Sequence, residues 1–85
     1  MLNLVDIVIV NWNTGDLLKN CLSSIIEHKD KAIGSVIVVD NASTDDSLNK
    51  LRSDIDYLKI IKEKTNHGFA KACNIGAQFC SSKYI

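Results

Sequence analysis

Ser35-Val36-Ile37-Val38-Val39-Asp40-Asn41-Ala42-Ser43-Thr44-Asp45-Asp46 is the stretch whose reading decides the fold. Four β-branched residues in an unbroken apolar run suit a strand buried on both faces, which is the habit of a parallel sheet. The run stops at an acid, so Asp40 falls at the rim of the sheet. In open α/β sheets the rim at the carboxyl ends of the strands is where ligands bind. A helix is expected to begin at Ser43 or Thr44, with Asp45 and Asp46 in its first turn. It should run to about Arg52, with Leu48 and Leu51 turned inward.

Upstream, residues 5–10 form a β-branched first strand, which leads into the polar turn Asn11-Trp12-Asn13-Thr14-Gly15. Leu17, Leu18, Cys21, Leu22, Ile25 and Ile26 then paint one face of a helix over about residues 15–27. Asn13 or Thr14 is its expected N-cap, and His28-Lys29-Asp30-Lys31 with Gly34 its end. Downstream, residues 57–62 alternate apolar residues with lysines, as an edge strand does. The loop Thr65-Asn66-His67-Gly68 leads to a helix over about residues 69–81. Its inner face should carry Phe69, Ala72, Cys73, Gly76, Phe79 and Cys80. The small residues Ala70, Ala72, Gly76 and Ala77 permit close approach to the sheet. Tyr84-Ile85 reads as the start of a fourth strand. Strands alternating with helices imply right-handed parallel βαβ units. The expected fold class is therefore α/β. It is a three-layer βαβαβα arrangement with a short parallel sheet in the order 3-2-1, one half of a Rossmann-like fold, in a single domain over residues 1–85.

The chain has 85 residues, enough for one domain that buries roughly 60% of the surface its unfolded form exposes. Ten basic and ten acidic residues cancel, which argues against a dedicated nucleic-acid binder and against a polybasic membrane segment. Residues 1–6 lack the pattern of a signal peptide, and no apolar run approaches the ~20 residues that span a bilayer. The expected location is therefore the cytoplasm. Cys21, Cys73 and Cys80 are odd in number, lack metal-ligand spacing, and read as small buried hydrophobes.

A parallel sheet gathers the segments 11–14, 40–44 and 66–68 on one rim. They hold the lone Trp, one of the two His residues, and a concentration of Asn, Asp and Ser. A flat ring can stack on Trp12. An ionised Asp40 only accepts hydrogen bonds, which suits the imide N–H of uracil or thymine, or a ribose hydroxyl. Asn11 and Asn13 both donate and accept. Other readings stand beside these. Asp40-Asn41 also fits a turn in which Asp40 bonds local amides, and Trp12 also fits a partly buried cover residue. Ser43, Thr44, Asp45 and Asp46 fit helix-start chemistry, and His67 a loop histidine. Asp54-Ile55-Asp56 has a metal-binding look but precedes the third strand, and so lies at the wrong rim.

Three segments together resemble the family 2 glycosyltransferases of GT-A fold: Val8-Ile9-Val10-Asn11-Trp12-Asn13, Val38-Val39-Asp40-Asn41-Ala42-Ser43-Thr44-Asp45, and Asn66-His67-Gly68-Phe69-Ala70-Lys71-Ala72-Cys73-Asn74-Ile75-Gly76. The wording is most similar to the rhamnosyltransferase-like branch, which builds bacterial surface polysaccharides. The resemblance implies a site for the nucleotide of a UDP- or dTDP-sugar, formed by Asn11, Trp12, Asn13, Asp40, Asn41, Asn66, Gly68 and Asn74. It implies Mg or Mn as the cofactor of a complete family enzyme, held by an Asp-x-Asp-like motif after the next strand, and a later carboxylate as general base. Neither has a counterpart here, so no catalytic or metal-binding residue is assigned and the 85 residues alone are expected to be inactive.

Two functions follow. One is the donor-nucleotide-binding part of a glycosyltransferase acting on a polysaccharide or lipid-linked acceptor. The other is a non-catalytic α/β interaction module that self-associates, or binds another protein, through an exposed edge of the first strand.

Overall fold

A computed structural model describes residues 4–28, 32–51 and 54–85. The expected helix end at Lys29-Asp30-Lys31 and the expected stop near Arg52 lie outside the described residues, as do Met1, Leu2 and Asn3. The element order is β1 (Val5–Asn11), α1 (Asp16–His28), β2 (Ile33–Asp40), a 3-10 turn (Ser47–Lys50), β3 (Leu58–Lys62) and α2 (Phe69–Ala77). The three strands form one parallel sheet in the order β1-β2-β3, so the α/β class, the sheet order and the edge position of β3 are as the pattern implied.

Alternation along the strands divides the core into two layers. Ile7 and Ile9 of β1, Val36 and Val38 of β2 and Leu58 of β3 meet Leu18 and Leu22 of α1 on one face. The 3-10 turn adds Leu48 there, and Leu51 follows it. Val8, Val10, Ile37, Val39 and Ile61 meet Ala72 and Ile75 of α2 on the other. Residues 36–39 of β2 are fully buried because both layers cover them, which is why that strand needs no polar alternation.

Several expectations change. Asp40 to Lys50 holds only the short 3-10 turn, not a helix from Ser43 or Thr44, because the polar side chains there bond across loops. The third helix ends at Ala77, not near Ser81. Phe79 N–H bonds Gly76 O and Cys80 N–H bonds Ala77 O, a tightening of the last turn. Leu17 and Phe69 are 71% and 73% exposed, so the inner faces of α1 and α2 are narrower than their apolar stripes. Cys21 is exposed and Cys73 and Cys80 are half-buried, and all three are free thiols.

Tyr84 pairs in parallel with Val5 on the side of β1 away from β2. Asp6 N–H donates to Tyr84 O at 2.9 Å, and Tyr84 N–H donates to Leu4 O at 2.8 Å. The edge of β1 is therefore covered at its amino end. The strand order reads β3, β2, β1, then residue 84. Connections after β1 and β2 run over one face, and the connection after β3 returns over the other. Winding in opposite directions on opposite faces is what right-handed crossovers require. No helix among the described residues is long and apolar enough to cross a membrane.

Candidate functional site at the carboxyl rim

The end of β1 and the end of β2 are joined side chain to side chain. Asn11 is buried, and its Nδ2 donates to Asp40 Oδ1 at 2.7 Å, Ser47 Oγ at 3.0 Å and Ser43 Oγ at 3.2 Å. Thr14 Oγ1 donates to Asn11 Oδ1. Asp40 is 3% exposed, and besides Asn11 it accepts from Ser43 Oγ at 2.7 Å and from Ser43 N–H at 3.0 Å. Three of the roughly four acceptor positions of its carboxylate are thus filled from within the protein. Asp40 therefore adopts the turn geometry, and among the described residues Oδ2 takes one donor where Oδ1 takes two.

Asn13 extends the bridge. Its Oδ1 accepts from Thr44 N–H at 2.7 Å and Asp45 N–H at 3.2 Å, while its own N–H donates to Ser43 Oγ at 3.0 Å. Neither Asn13 nor Thr14 turns its side chain to cap α1. Asp45 Oδ2 accepts from Gly15 N–H at 2.9 Å, and its Oδ1 accepts from Ser47 Oγ and Ser47 N–H. The Ser47 hydroxyl, with the Ser47 and Gly15 amides, holds the Asp45 carboxyl below its ordinary value although desolvation opposes them. Asp46 makes no capping bond and faces Lys50 at 3.7 Å.

The third loop is tied in by Asn41. This buried side chain donates from Nδ2 to Gly68 O at 3.1 Å and accepts His67 N–H on Oδ1 at 3.2 Å. Asn66 Oδ1 accepts Gly68 N–H at 2.8 Å in a local turn. Gly68 sits at φ 83°, ψ 168°, a region that only glycine visits readily. His67 Nε2 lies 3.1 Å from Glu63 Oε1. Asn13 and Ala42 also have positive φ, at 51° and 66°. Ala42 carries a Cβ there, which costs about 1–2 kcal/mol.

The fold thus brings Asn11, Asn13, Asp40, Asn41, Asn66 and Gly68 into one bonded network at the carboxyl rim. Trp12, next to Asn11 in the chain, is 54% exposed. Asn74 stands apart, exposed in the second turn of α2. Thr14, Ser43 and Ser47 belong to the network, although the sequence reading gives Thr14 and Ser43 only helix-start roles and Ser47 none. The signal that points to them is the density of hydroxyl and Asx side chains, which compete with helix for backbone groups.

Among the described residues no three His, Cys, Asp or Glu side chains gather as a metal site. The oxygens of Asp45 are already bonded, Asp46 faces Lys50, and Asp54 and Asp56 precede β3 at the opposite rim. The described residues do not fit the divalent ion that the resemblance implies.

Comparison with known proteins agrees with this architecture. The family model described as Glycosyl transferase family 2 matches residues 6–85. The chain is 34% identical over 85 residues to an uncharacterized glycosyltransferase of Haemophilus influenzae, covering 96% of this chain and 26% of that protein. It is 31% identical over 83 residues to the glycosyltransferase GlyA of Streptococcus pneumoniae, covering 95% of this chain and 12% of that protein. It is 27% identical over 88 residues to GlyG of the same organism, covering 100% of this chain and 29% of that protein. The chain therefore spans less than a third of the length of these relatives.

Proposed function

The chain belongs to glycosyl transferase family 2, and on that premise we propose that its carboxyl rim binds the nucleotide of a sugar donor. One observation carries this reading. The strand order reverses direction at β1, between β2 on one side and residue 84 on the other. In open α/β sheets the ligand crevice lies outside the carboxyl end of the strand at that reversal. The residues there are Asn11 and the exposed Trp12.

The division of labour follows burial. The Trp12 indole offers a stacking face to a base, and the exposed side chains of Asn13 and Asn66 offer polar groups at the same rim, with Asn74 exposed further off on α2 and Gly68 shaping the third loop. Asn11, Asp40 and Asn41 lie beneath and hold the three loops at fixed spacing, with Asp40 Oδ2 keeping one acceptor for a base N–H or a ribose hydroxyl. The left-handed backbone at Asn13 and Ala42 supports the same reading, since strained residues persist where the surroundings over-determine them, often around ligands. A uracil or thymine nucleotide, whose imide N–H is a donor, suits that acceptor on Asp40. The donor would be a UDP- or dTDP-sugar, and the acceptor a bacterial surface polysaccharide or its lipid-linked precursor, as in the rhamnosyltransferase-like branch. The reading gives these 85 residues no catalytic role. Sugar transfer by them alone is expected to be undetectable.

Trp12 is the only tryptophan, so titrating the chain with UDP or dTDP reads the site directly. The expected result is quenched fluorescence together with amide shifts at Trp12, Asn13 and Gly68. Saturating nucleotide that changes neither signal overturns the reading and leaves self-association, measured by sedimentation, as the function to pursue.

A further inference from the structure

At the rim opposite the candidate site a second buried carboxylate has a different task. Asp6 is 1% exposed, and all its partners are donors. Oδ1 accepts from Ser35 N–H at 2.8 Å and from Ser82 Oγ at 2.6 Å. Oδ2 accepts from Ser81 N–H at 2.8 Å and Ser82 N–H at 3.0 Å. One side chain on β1 therefore holds β2 and the segment that follows α2, which lies 75 and 76 residues away in sequence. The regular register of β1 on β2 is interrupted at this point, between Val5 and Ile7. Two residues beyond Ser82, Tyr84 pairs with Val5 through bonds to Leu4 and Asp6.

From these distances we propose that Asp6 is a latch. It docks residues 81–82 against β1, and so sets where and in which register the chain after α2 joins the outer edge of that strand. The argument is one of alternatives. The connection after β3 must cross both β2 and β1 before it pairs. A parallel strand that slips by one residue turns every side chain to the wrong face. Apolar packing at residues 84–85 is too slight to prevent this, since Tyr84 and Ile85 are both exposed. A carboxylate that accepts two successive amides and a hydroxyl has one geometry in which all are satisfied. Hydrogen bonds to a charged group are about twice as strong as neutral ones. The latch does not rest on the nucleotide reading, because it lies at the other end of β1.

Amide hydrogen exchange on the full chain tests it, corrected for intrinsic rates and comparing wild type with Asp6→Asn. Loss of a charge-assisted bond corresponds to about 1.5–3 kcal/mol, or roughly a 10- to 150-fold change in local opening. Exchange at Ser81, Ser82 and Tyr84 should accelerate by that factor, while Val38 and Val39 in the buried centre of β2 change far less. A carboxylate that merely stabilises the whole domain would speed all of them together, and that result overturns the latch. Should Asp6→Asn fail to fold, Ser82→Ala removes one donor and leaves the carboxylate. It should loosen Tyr84 severalfold and spare Val38. Unchanged exchange at Tyr84 in Ser82→Ala, with Asp6→Asn unfolded, also overturns the proposal.

Discussion

Asn11 and Asp40 end their strands directly opposite each other, and the Asn11 side-chain amide donates to the Asp40 carboxylate at 2.7 Å. Two adjacent parallel strands thus finish on a charge-assisted hydrogen bond buried beneath the loops that follow them. The same amide reaches Ser43 and Ser47, so one side chain sets the separation of the first two loops.

Replacing Asn11 by Ala removes every one of those donors and leaves a buried carboxylate short of a partner. The expected loss is about 2–3 kcal/mol, the scale for stripping a charged group of its hydrogen bond. A lowered urea midpoint with an unchanged slope would show it. A midpoint within error of wild type would mean that the loops are held by other means.

Trp12→Ala should behave in the opposite way. An indole that is 54% exposed contributes little packing, so stability should stay within about 0.5 kcal/mol. Nucleotide affinity should fall by roughly 5- to 150-fold, since base–aromatic stacking is worth about 1–3 kcal/mol. Calorimetric titration of UDP into both proteins, beside their melting curves, separates the two effects. Equal affinities would remove Trp12 from the site.

Gly76 packs α2 closely against the sheet. A Cβ there would lie 2.4 Å from Val8 Cγ1 and 3.0 Å from Val39 Cγ2. Gly76→Ala gains up to about 1 kcal/mol in helix propensity. Overpacking costs about 1–3 kcal/mol by forcing α2 off the sheet and should outweigh that gain, for a net loss of up to about 2 kcal/mol. A variant as stable as wild type in guanidinium would show that α2 shifts freely.

Asp6 predicts an acid limb in stability. Burial pushes its carboxyl up, but the Ser82 hydroxyl and the amides of Ser35, Ser82 and Ser81 outweigh it and hold the group far below the ordinary aspartate value. The unfolded chain therefore takes up a proton near pH 4 that the folded chain refuses. The contribution is full above about pH 5 and drains away as pH falls toward the folded value. Wild type should lose stability from about pH 5 to pH 2 more steeply than Asp6→Asn. Asp16 and Asp45 titrate in both proteins and cancel in the difference. Cys80, which burial and the nearby Asp6 charge push up, ionises outside this window. Parallel acid slopes in the two proteins would contradict the assignment.

The three strands and α1 were legible because apolar spacing and β-branched runs report local geometry, which each segment carries by itself. The carboxyl rim was legible for the same reason, since parallel strands must end on one side. The segment after Asp40 was not. Ser43, Asp45 and Ser47 have the composition of a helix start, and in isolation such residues cap the amides that follow them. In the folded chain Ser43 answers Asn11 and Asn13, and Asp45 answers Gly15, so only a short 3-10 turn survives.

By itself, then, the amino-acid order determined an α/β sheet in the order 3-2-1, a family resemblance, and which loops gather at the carboxyl rim. Tertiary structure alone decided which polar side chains in those loops are floor and which are surface, because hydrogen-bond choice depends on partners about 30 residues away in the chain. Asp6 makes the same point most sharply. Inside an apolar strand it looks like an interruption, and two of its three amide partners, Ser81 and Ser82, come within reach only when the segment after α2 returns to β1.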